Sequence, residues 1–187
     1  MDQQQLEVIL NGLEQGDARC QSAFYRHCHG ELMKVALRYH ASADEAAASF
    51  NKAMLQVFQK IRDYRREGAV MGWVRRIIVN TCLNELRGRL RFSSVDFTDE
   101  GLNSFSAGPE VYAGIEARRL LDLVHALPDT TRTVFNLYVM EGYTHEQVAA
   151  ALKIPKGTSK WHLHQARTQL KERLLQQAIH EAHILQK

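Results

Sequence analysis

The segment from Thr144 to Arg167 has the sequence THEQVAAALKIPKGTSKWHLHQAR. Thr144 and Gln147 stand three residues apart in the pattern of a reciprocal N-terminal capping box, so a helix is expected to begin here. Pro155 lacks the backbone N–H that the interior of a helix requires, so this helix must end before it. The segment therefore predicts a short helix, a tight turn and a second helix, in the order of a helix-turn-helix.

Both predicted helices have one apolar face. In the first it comprises Val148, Ala151 and Leu152, and in the second it comprises Leu163, Ala166 and Leu170, at the three-to-four-residue spacing of a packed helix. The opposite face of the second helix has five polar or aromatic side chains: Lys160, Trp161, His164, Gln165 and Thr168. Such side chains can contact base edges, phosphates and a thymine methyl group in a major groove. We therefore expect this surface to bind duplex DNA.

The composition indicates a helical protein that does not enter a membrane. The 187 residues are 45% hydrophobic and include only three prolines and 11 glycines, which suits one medium domain or two small ones with long helices. No run approaches the roughly 20 apolar residues that cross a bilayer, and the first residues do not resemble a signal peptide. Cytoplasmic localisation is expected. The three cysteines, Cys20, Cys28 and Cys82, form no CxxC motif and are expected to be reduced.

Charge is distributed unevenly along the chain. Residues 1–91 have 14 Lys and Arg against 10 Asp and Glu, and residues 118–187 have 10 against 6. Between them, residues 92–117 have no Lys or Arg and five acidic side chains. This asymmetry suggests two polyanion-binding modules separated by a segment that avoids nucleic acid or imitates it.

Hydrophobic periodicity predicts an all-α fold with two small helical domains. Helices are expected at residues 4–15, 18–40, 43–62, 70–91, 114–127, 130–141, 144–152 and 157–178, and the pattern after residue 176 is compatible with a longer last helix. Residues 92–113 are rich in small and acidic side chains, which predicts a flexible acidic linker. The expected boundaries are 1–91 for the first domain, 92–113 for the linker and 114–187 for the second domain.

The basic stretch from Ile61 to Arg91 is the most informative part of the first domain. A basic and aromatic loop precedes a helix whose expected buried stripe is Val70, Trp73, Val74, Ile77, Thr81 and Leu86. The rest of that helix presents arginines and amides: Arg75, Arg76, Asn80, Asn84 and Arg87. This mixture suits a surface that binds a strand backbone and holds unstacked bases.

Both ends of the chain resemble one protein family. The sequences YRREG (64–68), WVRRI (73–77) and VNT (79–81) resemble conserved region 2 of the extracytoplasmic-function (ECF, group IV) sigma factors of the sigma-70 family. The sequences ALPD (126–129), EGY (141–143) and GTSK (157–160), with Val134-Phe135 and Ala166-Arg167, resemble their region 4. The matches extend from about Ala23 to Leu174 in the order of that family.

The resemblance implies a transcription initiation factor with two DNA contacts. In such factors region 2 binds the β′ coiled coil of core RNA polymerase, melts the minus-ten promoter element and captures a flipped base. Carried over to this chain, Tyr64, Arg65, Gly68 and Asn80 would form the loop and pocket for that base, with Arg76 near the strand backbone. Extrusion of a base costs a few kcal/mol, which contacts in the pocket can offset. Trp73 is interpreted as a core residue rather than as a stacking platform.

Region 4 of the family contacts the minus-thirty-five element and the β flap of the polymerase. Here the resemblance implies four residues in the major groove, with two more as phosphate contacts. The groove residues are Lys160, Trp161, His164 and Gln165, and the phosphate contacts are Thr158 and Arg167. His145, His162 and His164 could make binding sensitive to pH, although neutral hydrogen-bonding roles are the favoured interpretation.

The implied partners are core RNA polymerase, promoter DNA and an anti-sigma factor or another regulatory protein that masks the chain until a signal arrives. The acidic linker would approach the active-site cleft and RNA exit path of the polymerase. No cofactor, metal or membrane insertion is expected. The sequence has no nucleophile with a base, no paired catalytic carboxylates and no phosphate-binding glycine loop, so no catalysis by the chain itself is expected.

One segment departs from the family pattern. The helix that normally contacts the polymerase has approximately the sequence EDLVQE in this family, whereas residues 47–52 here are AASFNK. Two acids are replaced by alanine and one by lysine, which would weaken or alter an electrostatic contact. The expected polymerase-binding residues are Ala48, Asn51 and Lys52, of which Asn51 retains an amide.

Two other hypotheses remain open at this point. The chain could be a sigma-derived helix-turn-helix regulator that does not bind core polymerase, which the altered 47–52 segment favours and the 64–91 block disfavours. It could also be a metal-dependent enzyme or sensor built on Cys20, His27, Cys28 and His29, but adjacent residues of one helix point in different directions and cannot converge on one ion.

Overall fold

The computed structural model describes residues 2–90 and 115–184. The chain divides into two compact units, unit 1 from Met1 to Arg89 and unit 2 from Leu90 to Lys187. Every regular element of the described residues is helical, which confirms the predicted all-α class. The predicted linker, residues 92–113, lies outside the described residues.

The predicted helices agree closely with the observed elements, with one exception in unit 2. Unit 1 contains α1 (Gln3–Glu14), α2 (Ala18–Tyr39), α3 (Ala43–Lys60), a 3₁₀ turn (Ile61–Asp63) and α4 (Val70–Leu90). Unit 2 contains α5 (Ile115–His125), α6 (Asp129–Phe135), a π-helical turn (Asn136–Met140), α7 (His145–Leu152) and α8 (Lys156–Ile184).

Side-chain caps set the starts of the first three helices. Asp2 accepts a hydrogen bond from the backbone N–H of Gln5 at 2.7 Å, and Asp17 accepts from Arg19 and Cys20 at 2.7 and 3.0 Å. Ser42 caps α3. Each cap satisfies a backbone donor that the first turn of a helix leaves free, and typically contributes about 1 kcal/mol.

The core of unit 1 lies between α2, α3 and α4. Its largest fully buried side chains are Phe24, Tyr39, Phe50, Met54, Ile78 and Leu83. Burial of each large apolar side chain contributes about 1.5–3 kcal/mol, so this core holds the three helices together. Helix α1 packs closely on α2 at Gly12, where an added Cβ would lie only 2.9 Å from Cβ of Cys20.

The buried stripe of α4 differs from the prediction in part. Val70, Val74, Thr81 and Leu86 are buried as expected, but Trp73 and Ile77 are only half-buried. Four residues that were not in the predicted stripe are fully buried: Ile78, Val79, Cys82 and Leu83. Helix α4 is thus buried over a wider arc, because the other helices of unit 1 cover more of its surface than one amphipathic face.

The predicted α-helix over residues 130–141 is wrong beyond Phe135. There the chain widens into a π-helical turn, closed by a hydrogen bond from the N–H of Glu141 to the carbonyl of Asn136 at 2.9 Å. Gly142 follows with φ +73°, a left-handed conformation that glycine adopts readily. The wider turn and this glycine bring Tyr143 back into the core, where its N–H bonds the carbonyl of Leu137 at 3.0 Å.

The predicted helix-turn-helix is confirmed by α7 and α8. The N–H of Gln147 donates to Oγ1 of Thr144 at 3.2 Å, and the N–H of Thr144 donates to Oε1 of Gln147 at 2.8 Å, which completes the capping box. Lys153 ends α7 in a left-handed conformation with φ +53°, and α8 begins directly after Pro155. The apolar residues of both helices are buried as predicted, except that Leu170 is half-buried.

Two arginines tie the helices of unit 2 together. Arg132 is buried and donates to the carbonyl of His125 at 2.9 Å and to Oδ1 of Asp129 at 2.6 Å. Arg173 of α8 donates to the carbonyl of Ala126 at 2.9 Å. Both arginines bond the turn between α5 and α6, so they hold that turn in place and tie it to α8.

Among residues 2–90 and 115–184, no helix is both long enough and apolar enough to span a membrane. All three cysteines are free thiols. Burial raises the pKa of the Cys28 thiol to about 12, which suppresses the reactive thiolate form.

Candidate nucleic-acid and polymerase interfaces

An exposed loop in unit 1 contains three of the predicted minus-ten residues. It runs from Tyr64 to Gly68, between the 3₁₀ turn and α4, and its backbone is left-handed at Arg66 (φ +57°) and at Gly68 (φ +82°). The Tyr64 hydroxyl donates to the carbonyl of Gly68 at 2.7 Å, which closes the loop on itself. Within the described part of the chain, the guanidinium of Arg65 is exposed and has no hydrogen-bond or ion-pair partner.

The loop packs against the start of α4 through two aromatic rings. The centroids of Tyr64 and Trp73 are 5.3 Å apart and their planes are inclined by 35°. Trp73 is half-buried, so the prediction of a simple core residue is only partly correct: its ring supports the loop. Sequence periodicity could not have revealed this, because Trp73 falls within the apolar stripe of α4.

Arg76 and Asn80 lie about one and two helical turns after Trp73, on the same side of α4. Asn80 is thus about 10 Å from Trp73 along the helix axis. Both are half-buried. Oδ1 of Asn80 is buried and accepts no hydrogen bond from any described residue. A buried acceptor without a partner typically costs about 1–3 kcal/mol.

The predicted polymerase-binding residues lie on the exposed face of α3. Ala48, Asn51 and Lys52 are all exposed, and Asn51 Oδ1 accepts a hydrogen bond from the Tyr25 hydroxyl at 2.7 Å. Leu55, which sequence analysis did not select, is 58% exposed one turn further along this face. Its spacing of seven residues from Ala48 was a signal that could have identified it.

Lys52 forms an ion pair with a residue of another helix. Its Nζ lies 3.2 Å from Oε1 of Glu85 on α4. The other carboxylate oxygen of Glu85 accepts a hydrogen bond from the buried Ser49 hydroxyl, which lies 2.7 Å from Nε2 of His40. Burial alone would raise the pKa of Glu85, but the hydrogen bonds from Ser49 and Lys52 outweigh it and hold this pKa below its ordinary value. The carboxylate therefore stays ionised behind the α3 surface.

The predicted minus-thirty-five residues lie along the first half of α8. Lys160, Trp161, His164 and Arg167 are exposed, whereas Thr158 and Gln165 are half-buried at the edges of the surface. Trp161 is 56% exposed, which is unusual for so large an aromatic ring, and it contacts the ring of His162 edge-on at 4.8 Å. The structure thus brings the six predicted residues onto one side of a single helix.

Polar contacts hold α7 against α8. Nδ1 of His145 lies 3.0 Å from the buried Ser159 hydroxyl, and the His145 ring stacks on Tyr138 at 4.3 Å. Glu146 forms an ion pair with Lys156 across the turn. The hydrogen bond from Lys156 lowers the pKa of Glu146 to about 2, so this carboxylate is ionised throughout the physiological range.

Two histidines of unit 2, His145 and His162, lie within hydrogen-bond distance of hydroxyl groups of the same unit. Burial lowers the pKa of His145, and the nearby charge of Lys160 lowers it further. Burial also lowers the pKa of His162, whose Nδ1 lies 3.0 Å from Oγ1 of Thr131. Both shifts favour the uncharged ring, which suits a hydrogen-bonding role.

The cysteine and histidine residues of α2 point in different directions. Cys28 is fully buried, whereas the adjacent His29 is exposed and packs edge-on against Phe50 at 5.5 Å. Among the residues that the structure describes, no cluster of three or more potential metal ligands occurs.

Two domain families match the two units. The model for Sigma-70 region 2 matches residues 24–92, and the model for Sigma-70, region 4 matches residues 117–170. Together they span most of the chain. The chain therefore belongs to the sigma-70 family, and its relatives place it in the ECF group.

Several ECF and related sigma factors are similar over nearly their whole length. The RNA polymerase sigma-H factor of Pseudomonas aeruginosa is 26% identical over 195 residues, which span 97% of this chain and 100% of that protein. The ECF RNA polymerase sigma-E factor of Haemophilus influenzae is 23% identical, over 90% of this chain and 94% of that protein. The ECF RNA polymerase sigma-E factor of Escherichia coli K12 is 25% identical, over 86% and 90% respectively.

The fold also matches a solved structure. The sigma factor RpoE of Bartonella quintana, solved in complex with the anti-sigma factor NepR, aligns with a TM-score of 0.52 and 18% identity. The alignment covers 82% of this chain and 95% of that one. At this identity the likeness concerns the fold alone.

Proposed function

We propose that the chain is an ECF-type initiation factor that binds core RNA polymerase, directs it to promoters and opens the DNA there. The observation that supports this most directly is the combination of a helix-turn-helix in unit 2 with a preformed loop beside a basic, amide-containing helix in unit 1. A protein that binds only duplex DNA has no use for the second feature. Each feature lies within a match to the corresponding sigma-70 region.

In the proposed minus-ten site, the closed loop supplies shape and α4 supplies polar contacts. Tyr64 and Trp73 provide aromatic surface on which an unstacked base can rest. Gly68 exposes backbone without a side chain, and Arg65 is available to a phosphate. Asn80 is half-buried on the same side of α4, and its amide is a group suited to hydrogen-bond an edge of the captured base.

Arg76 is proposed to contact the strand backbone near this pocket. It lies between Trp73 and Asn80 on the same helix side, so a strand that follows this side of α4 would pass it. Its role is to bind phosphate rather than to distinguish bases.

The proposed polymerase surface is the exposed face of α3: Ala48, Asn51, Lys52 and, in addition, Leu55. Because Glu85 offsets the charge of Lys52, this face is less cationic than the residue itself suggests. We propose that contact with the β′ coiled coil depends here on Leu55 and on amide hydrogen bonds more than on acidic side chains.

The proposed minus-thirty-five surface is the exposed side of α8. Lys160, Trp161, His164 and Gln165 would enter the major groove, while Thr158 and Arg167 would contact phosphates. Unit 2 is further proposed to contact the β flap of the polymerase.

The domain organisation follows from this function. Residues 1–91 would bind polymerase and the minus-ten element, residues 92–113 would link the domains, and residues 114–187 would bind the minus-thirty-five element. We propose that the chain binds RNA polymerase in the cytoplasm and that an anti-sigma factor or another regulatory protein controls this binding. The proposed function requires no cofactor and no catalysis by the chain.

The deciding experiment measures affinity for core RNA polymerase and then opening of promoter DNA selected from random sequence. We expect tight binding to core polymerase and an open bubble at the minus-ten element of the selected DNA. Asn51→Ala and Leu55→Ala should weaken core binding, whereas Lys34→Ala, an exposed change on α2, serves as the matched control.

Duplex binding without affinity for core would contradict the proposal. It would instead leave the alternative of a sigma-derived regulator that has lost its polymerase, which the altered 47–52 segment favours but the matches to both sigma-70 regions do not.

A further inference from the structure

Arg66 does not face solvent as a free cation, unlike its neighbour Arg65. Its Nη1 donates to Oε2 of Glu7 at 2.8 Å, and its Nη2 donates to Oδ1 of Asn11 at 2.6 Å and to Oε1 of Glu14 at 2.9 Å. These three acceptors belong to α1 and lie at intervals of four and three residues, so they share one side of that helix. We call the four residues Glu7, Asn11, Glu14 and Arg66 the Arg66 cluster.

The cluster holds the loop at Arg66, whose backbone conformation is strained. A residue with a Cβ is disfavoured in the left-handed conformation that Arg66 adopts, and such a conformation persists only where the surroundings hold it. The guanidinium fork is suited to this, because it presents several donors in a rigid plane. Arg62 adds a second attachment, since its Nε and Nη2 donate to the carbonyl of Glu14 at 3.3 and 2.9 Å.

The position of the cluster within the loop is significant. Arg66 lies midway between Tyr64 and Gly68, the two residues whose hydrogen bond closes the loop. A change in the backbone at Arg66 would alter the spacing of these two residues and the way Tyr64 rests on Trp73. The loop closure and the Arg66 cluster therefore support the same shape, one through the Tyr64 side chain and the other through the Arg66 side chain.

We propose that α1 acts as a positioning element for promoter opening, in which Glu7, Asn11 and Glu14 hold Arg66 and so keep the Tyr64–Gly68 loop ready to receive the extruded base. Arg66 is a positioning residue here and makes no contact with DNA. The inference rests on the proposed function of the loop, and it adds a role for a helix that lies outside the residues matched to Sigma-70 region 2.

The test uses full-length protein assembled with core RNA polymerase and a promoter duplex selected from random sequence. A fluorescent adenine analogue within the minus-ten element reports unstacking of the captured base. Four proteins form a cycle: the wild type, Arg66→Ala, Glu7→Gln with Glu14→Gln, and the combination of all three substitutions. Affinity for core polymerase and the midpoint of thermal unfolding are measured on each, with Lys34→Ala as the control for removal of one exposed positive charge.

We expect Arg66→Ala to reduce the opening equilibrium about tenfold, the sum of a few partly exposed contacts. Affinity for core should remain within about twofold of the wild type. The Glu7→Gln and Glu14→Gln pair should cause a similar loss of opening, and the combined protein should lose no more than either. Arg66→Glu alone should also reduce opening. Addition of Glu14→Arg to that variant should restore part of the lost opening, because the ion pair is rebuilt with its charges exchanged. A general loss of stability would not be repaired in this way.

Two results would overturn the inference while leaving the proposed function intact. One is normal opening by Arg66→Ala, and the other is multiplication of the separate losses in the combined protein, since residues that act through one contact cannot contribute independently. Failure of the wild type itself to bind core or open the promoter would have a different signature. It would refute the proposed function and this inference with it.

Discussion

Two left-handed backbone positions define the exposed loop of unit 1, and they are maintained in different ways. Gly68 adopts its φ of +82° without steric cost, whereas Arg66 requires the contacts of its side chain with α1. The loop therefore depends on a small residue at one end and on a network of distant side chains in its middle.

Gly68→Ala tests the first of these positions. No atom lies within 4 Å of the added Cβ, so the cost arises from the backbone alone and should be about 1–2 kcal/mol. We expect weaker promoter opening and a small loss of unfolding free energy in chemical denaturation. Gly30→Ala is the matched control, because Gly30 is an exposed position within α2 with equally open surroundings, and alanine there should stabilise by about 0.5–1 kcal/mol. Equal effects at both positions would contradict the assignment.

His145 and His162 predict a loss of stability in mild acid. Their pKa values in the folded protein are lowered below the ordinary 6.5, so between the folded and unfolded pKa values the unfolded chain binds more protons. Stability is therefore complete above about pH 6.5 and declines as the pH falls below it. The Glu146 carboxylate acts in a lower window, between its ordinary pKa of 4.5 and about 2.

Thermal unfolding at about pH 7.5 and about pH 5.5 measures this effect. The wild type should lose stability at the lower pH, and a protein with His145→Asn and His162→Asn should lose less, because asparagine does not titrate. An identical loss in both proteins would show that other groups are responsible.

The elements of unit 2 show how far local pattern can predict structure. The capping box of α7 and the turn at Pro155 depend on residues within three or four positions, and both were predicted correctly. The π-helical turn at 136–140 was missed, because a π-helix has less than one residue per turn more than an α-helix, and this difference leaves no signal in five residues.

Thr144→Ala tests the contribution of the capping box. Loss of the side-chain acceptor should cost about 1 kcal/mol of unfolding free energy and weaken duplex binding by the helix-turn-helix. Thr144→Ser keeps the hydroxyl and should behave nearly as the wild type in denaturant titration. If serine and alanine destabilise equally, the methyl group rather than the cap would be the important part of Thr144.

The chain as a whole places its two proposed DNA-binding surfaces in separate compact units. We propose that α8 of unit 2 provides affinity for duplex DNA and that the loop and α4 of unit 1 provide promoter opening. Substitutions in the two sets should therefore change different steps.

Lys160→Ala and Arg167→Ala should lower affinity for duplex DNA and reduce its dependence on salt. For each phosphate that the variant no longer neutralises, the slope of log affinity against log salt should become less steep by about 0.9. Titration of labelled duplex at several salt concentrations measures this slope. Lys34→Ala, on unit 1, should leave it unchanged.

Arg65→Ala and Asn80→Ala should instead reduce opening with little effect on that slope. A combined Arg167→Ala and Asn80→Ala protein should show both losses in full, because each substitution acts within its own unit. Strong non-additivity would contradict this division of roles.

Near-neighbour chemistry explains what the amino-acid sequence could predict. Helical periodicity, caps and proline act over three or four residues, so they were sufficient for the all-α class, the helix-turn-helix and the exposed side of α8. Interactions between distant residues required the folded chain: Arg66 meets Glu7 across 59 positions, and Lys52 meets Glu85 across 33. No local pattern encodes such pairs, because they depend on how whole helices pack. The folded arrangement alone therefore decides that Arg66 is paired with α1 while Arg65 has no partner among the described residues.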